Sequence, residues 1–124
     1  FTDSTQLASS AGRFQLIQAA REIDTRESLG FGRLADGEIA IINPVSVPNS
    51  ATAVAQNLTV APSGGASFVT AFPSGAPPLV ANLNTTGPGQ VRGSAAFTKL
   101  GAGSERFFTL RQTELVVDVF GYFT

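Results

Sequence analysis

Glycine and proline limit how long any regular element of this chain can be. Thirteen Gly and seven Pro are spread along 124 residues rather than gathered into one linker. Gly weakens a helix or strand through backbone entropy, and Pro removes a backbone donor. The pieces between these breaks are short and rich in β-branched, small or aromatic residues. Residues 51–60 (ATAVAQNLTV), 66–72 (ASFVTAF), 79–83 (LVANL), 91–100 (VRGSAAFTKL), 106–111 (RFFTLR) and 114–123 (ELVVDVFGYF) all suit strands. So does 38–43 (EIAIIN), which is closed by Pro44. This pattern predicts an all-β fold, an antiparallel two-sheet sandwich of jelly-roll type. Residues 14–23 (FQLIQAAREI) pull the other way, because good helix formers without a breaker predict a short N-terminal helix. Turn chemistry at Gly30-Phe31-Gly32 and Asp36-Gly37 limits its length. The expected organisation is an N-terminal arm, residues 1–13, followed by one sandwich domain, residues 14–124.

Composition narrows the chemistry. Hydrophobic residues make up 43% and charged ones 14%, so the chain should bury a core. Eight Lys+Arg against nine Asp+Glu leave a net charge of −1. That gives no electrostatic reason to bind nucleic acid or an anionic membrane. No apolar run is long enough to span a bilayer, so membrane insertion is not expected. His and Cys are absent, which removes Ser-His-Asp and Cys-His nucleophile systems, His/Cys zinc sites, thiol redox chemistry and disulfides. The Gly-rich stretches 63–65 and 101–104 lack a following Gly-Lys-Ser/Thr and read as hairpin turns rather than phosphate cradles. Neither an enzyme nor a cofactor is expected. Without Cys or Met the chain lacks the side chains most easily oxidised, which suits an extracellular or cell-surface setting. A start at Phe1 without Met is expected of a processed product or a fragment.

A few polar residues stand out. Asp24 and Arg26 lie two apart, and Asp118 interrupts an apolar strand. A carboxylate buried there needs a partner. The structural reading pairs Arg26 with Asp118, or has Asp24 cap the following turn, tying the first third to the last strand. The functional alternative is a paired-carboxylate site using Asp24 and Asp118. Asn82 and Asn84 alternate with Leu83 before Gly87-Pro88-Gly89 and are expected to hydrogen-bond turn backbone. A sugar- or calcium-binding loop built from Asp36, Asn82 and Asn84 is the alternative, weakened by the lack of clustered carboxylates. The aromatics are ten Phe and one Tyr, with no Trp. That counts against a glycan-stacking platform and suits a dry core or a subunit interface. Phe107 and Phe108 are adjacent, so on a strand they face opposite ways. With Phe1 at the head of the arm, they are the candidate interface residues.

Three segments carry a resemblance. The first is Glu22-Ile23-Asp24-Thr25-Arg26. The second is Val47-Pro48-Asn49-Ser50-Ala51-Thr52-Ala53-Val54, followed by Asn57-Leu58-Thr59-Val60. The third begins at Phe72-Pro73, passes Asn82-Leu83-Asn84 and Gly89-Gln90, and ends in Val116-Val117-Asp118-Val119-Phe120-Gly121-Tyr122-Phe123. In this order they resemble a β-rich domain of secreted and surface proteins of actinobacteria and related bacteria, often placed at the C-terminus. The family pattern usually has Pro where this chain has Ala20. The resemblance implies an extracellular accessory or structural domain and no catalytic residues. The function expected is therefore a structural protein that packs against copies of itself in a fibre, surface layer or shell. The alternative is an adhesive or cell-wall-binding module of a larger secreted protein, with cell-wall glycan as its partner.

Overall fold

The computed structural model describes residues 13–62, 66–77, 82–87 and 91–124. Eight strands follow one another: β1 (Phe14–Asp24), β2 (Ile39–Ile42), β3 (Ala53–Pro62), β4 (Ser67–Phe72), β5 (Leu83–Thr85), β6 (Arg92–Lys99), β7 (Glu105–Thr109) and β8 (Thr113–Phe123). They form two four-stranded antiparallel sheets, ordered β1-β8-β3-β6 and β2-β7-β4-β5. The pairs β1–β8, β2–β7, β3–β6 and β4–β5 alternate between the sheets, which is the wrapped order of a jelly roll. The sandwich expected from the Gly/Pro spacing is the observed fold.

Alternation along each strand builds the core. On β8, Leu115, Val117 and Val119 are buried, as is Val116, while Glu114, Asp118 and Phe120 are partly exposed. Ile23, Leu34, Leu58, Val60, Val69 and Phe107 meet Leu115 and Val117 between the sheets. Phe107 packs against Phe31 with ring centroids 6.3 Å apart.

Residues 14–23 are strand, not helix. Helix propensity is worth tenths of a kcal/mol per residue, and here pairing along β8 outweighs it. β1 carries an extra residue, Glu22, between the Arg21/Asp118 and Ile23/Val117 pairs. This bulge accompanies the burial of both Glu22 and Ile23, against simple alternation. The helical geometry of this region is a 3-10 turn at Thr25–Glu27.

The Gly-rich stretch 101–104 is the hairpin turn expected: Gly101 and Ser104 exchange backbone hydrogen bonds at 2.8 and 3.1 Å around Ala102 and Gly103, both at positive φ. β6 and β7 belong to different sheets, so Gly101–Ser104 carries the chain across the edge of the sandwich. A Cβ on Gly101 would stand 2.5 Å from the Pro73 carbonyl oxygen, so the crossing runs backbone against backbone. β3 and β4 also lie in different sheets, and the connecting residues 63–65 lie outside the described residues. The strand expected at 79–83 begins at Leu83, with 79–81 outside the described residues. Of the expected arm, residues 1–12 are also outside them. The carbonyl of Arg13 accepts the N–H of Thr124 at 3.0 Å.

Candidate interaction surface

The tripeptide Asp24-Thr25-Arg26 turns the chain at the end of β1. Asp24 accepts the backbone N–H of Arg26 at 3.2 Å and caps the 3-10 turn. The Arg26 guanidinium closes on the same carboxylate, Nε to Oδ1 at 2.9 Å and Nη2 to Oδ2 at 2.8 Å. These contacts hold the Asp24 carboxyl at about 2, below its usual 3.8, although burial opposes them. Thr25 is buried and faces β8. Its hydroxyl donates to the Glu114 carboxylate and accepts the N–H of Leu115 at 2.8 Å. The bond from Thr25, and Arg33 at 2.9 Å, lower the Glu114 carboxyl from its ordinary value.

Asp118 is bound by Arg21, not by Arg26. Arg21 stands opposite Asp118 in register, whereas Arg26 lies beyond the end of β1. Arg21 Nε and Nη2 reach the two Asp118 oxygens at 2.9 and 3.2 Å, and its Nη1 reaches Asp24 at 3.4 Å. Asp118, Arg21, Asp24 and Arg26 therefore form one alternating network. A guanidinium engages each carboxylate, an arrangement that fixes backbone and leaves neither acid poised as a general base. Arg21 carried no signal in the sequence, because its facing strand cannot be read from local spacing.

The asparagines separate. Asn82 Oδ1 accepts the N–H of Ala71 at 2.6 Å and the Thr70 hydroxyl at 3.3 Å, so it serves β4 rather than a turn. Asn84 is exposed opposite Phe68, and residues 88–90 of the expected turn lie outside the described residues. Asp36 instead accepts the N–H of Gln112 at 2.6 Å. The described residues contain no group of three or more acids able to hold a metal ion.

The phenylalanines divide by face. Phe107, expected at an interface, is a core residue with 0% exposure. The inward face of β7 fixes this, because buried Glu105 and Thr109 share it. Phe108 is half-buried on the outward face, its ring 5.7 Å from that of Phe68. Ile39, opposite Phe108, and Ile41 extend this apolar surface. Phe1 lies outside the described residues.

The outward face of the other sheet carries an apolar patch as well, at the end away from the Arg21–Asp118 pair. Phe14 and Phe123 lie opposite each other with ring centroids 5.0 Å apart, and Phe97 meets Phe123 edge-on at 6.0 Å. Leu16 and Phe97 are 67% and 70% exposed. Gly121 and Ala55 lie between them in register. A Cβ on Gly121 would fall 2.5 Å from the Phe14 ring, so this glycine is the seat of that ring. The helix expectation hid Phe14 and Leu16. Phe97 had a signal, since it alternates with Ala96 and Thr98, both buried.

A recess of about 180 Å³ lies between the β2–β3 loop and the β6–β7 turn, lined by residues such as Asn43, Pro48, Leu100 and Ala102. No ionisable side chain lines it. The chain matches no known family profile, and it has no significant match among curated proteins or solved structures.

Proposed function

We propose that this protein is a non-enzymatic structural protein of an extracellular or cell-surface setting that associates with copies of itself into a fibre, layer or shell. The observation that carries this reading is an exposed apolar patch on each outward face, set beside the Arg21–Asp118 pair on one and Arg106 on the other. A sandwich needs an apolar face on each sheet only where the sheets meet. Here Phe14, Leu16 and Phe97 face outwards on one side, and Ile39, Ile41 and Phe108 on the other. Contiguous apolar surface of this kind marks an interaction site. Burying a Leu or Phe there contributes about 1.5–3 kcal/mol. A second copy suits both faces, because each carries an apolar patch and a net charge of −1 produces little repulsion between subunits. The two faces differ in residues and lie on opposite sides. Joining one to the other adds subunits head to tail, which builds a ring or an open array rather than a two-fold pair.

Other observations support the reading. The carboxylates Asp24 and Asp118 are held by guanidinium groups, and the chain has no imidazole or thiol. The residue resemblance supports an extracellular setting. β1 is an edge strand and begins at Phe14, within the apolar patch. An arm reaching a neighbour adds a strand or covers that patch. Light scattering during size exclusion should give a mass that rises with concentration. A monomer at every concentration contradicts self-assembly and favours the adhesive reading, with cell-wall glycan as the ligand to test. Deleting residues 1–13 should abolish assembly without unfolding the domain, and a truncated chain that still polymerises rules out the arm.

A further inference from the structure

Between the two sheets lies a polar cluster that self-association does not use. Glu105 of β7 is 1% exposed and meets Gln56 of β3, which also reaches Thr98 of β6. Gln56 Nε2 donates to Glu105 Oε1 at 2.7 Å and to Thr98 Oγ1 at 3.2 Å. Gln56 is itself fully buried, and its Oε1 receives no hydrogen bond. A buried amide oxygen without a donor is costly. A carboxylate has no proton to give it, but a carboxylic acid does. Among the described residues no ion pair reaches Glu105. The ionisable group acting on it from β1 is Glu22, of the same sign, whose oxygens accept the N–H groups of Val45 and Ser46 at 3.2 and 2.7 Å. From β2 the residue opposite is the apolar Ile42.

We propose that Glu105 carries a proton in the folded protein and donates it to Gln56 Oε1, closing a reciprocal acid–amide pair that staples one sheet to the other. Burial raises the Glu105 carboxyl from 4.5 to about 7; the Gln56 bond works against this and Glu22 adds to it. The folded chain then holds a proton that the unfolded chain releases between pH 4.5 and about 7. The staple's contribution is complete below pH 4.5 and is lost as pH rises through about 7. Once the proton leaves, Glu105 faces Glu22 and an unpartnered Gln56 oxygen, and the contact between β3 and β7 loosens. The fold therefore responds to alkaline pH from its interior.

The test is chemical denaturation of dilute protein from about pH 5 to pH 8 at constant ionic strength. The folding constant should fall roughly tenfold per pH unit between about pH 5 and 7, as one released proton requires. Glu105→Gln, whose amide can exchange both hydrogen bonds at any pH, should lose this slope. A wild-type constant that is flat or rises with pH overturns the proposal, as does a slope that persists in Glu105→Gln. If that variant does not fold, a carbon-13 titration of the wild-type glutamate carboxyls decides. One carboxyl titrating near pH 7 supports the proposal, and complete titration of every glutamate below about pH 6 overturns it.

Discussion

Asp24 caps a turn and anchors two arginines with one carboxylate, and this gives it a clear acid signature. Its folded value of about 2 lies below the ordinary 3.8, so the unfolded chain takes up the proton first as pH falls. Its contribution is complete above pH 3.8 and disappears as pH falls through about 2. Thermal melts followed by circular dichroism should show Tm falling across this interval, and less steeply in Arg26→Ala. Its neighbour Thr25 acts on the last strand. Thr25→Val leaves the Leu115 N–H unpaired in the interior and should cost about 1–3 kcal/mol in urea titrations. The two adjacent phenylalanines allow a sharper contrast. Phe107→Ala empties a core site and should cost about 3–5 kcal/mol. Phe108→Ala should cost far less, because its ring is already half exposed. That the two point apart followed from adjacency alone. Which one entered the core did not, since it depends on which face of β7 meets the other sheet.

Strands bounded by their own punctuation were legible in the sequence. β4 stops at Phe72 before Pro73, β6 ends before Gly101, and β8 carries a Val-rich inward face. β1 was not legible, because Gln15, Gln18, Ala19, Ala20 and Arg21 favour helix and only pairing with β8 makes them extended. The same gap hid Arg21 and the outward Phe14 and Leu16. The Arg26–Asp118 pairing failed for a related reason: strand register, not proximity to a motif, chooses the partner of Asp118. β1 should also be uneven in stability. Residues Phe14–Ala19 are largely exposed and its pairing to β8 is interrupted between Leu16 and Ala20, whereas Ile23 and Asp24 are buried. Hydrogen exchange should be fast at 15–19 and slow at Ile23 and at Val117 and Val119 of β8. Equal protection along all of β1 would contradict this gradient.

At the scale of the whole molecule, the jelly roll buries one face of each sheet and leaves an apolar patch on the other. Low net charge leaves little electrostatic repulsion between copies meeting at these patches. Leu16 and Phe97 contribute little to the interior, so replacing them should leave the fold intact and remove one side of the proposed self-association contact. Sedimentation velocity, comparing wild type with Leu16→Ser/Phe97→Ser over a wide concentration range, tests this most directly. The expected result is a sedimentation coefficient that rises with concentration in the wild type and stays at the monomer value in a normally folded double variant. A wild type that remains monomeric throughout, or a double variant that assembles as readily, would contradict self-association through this face.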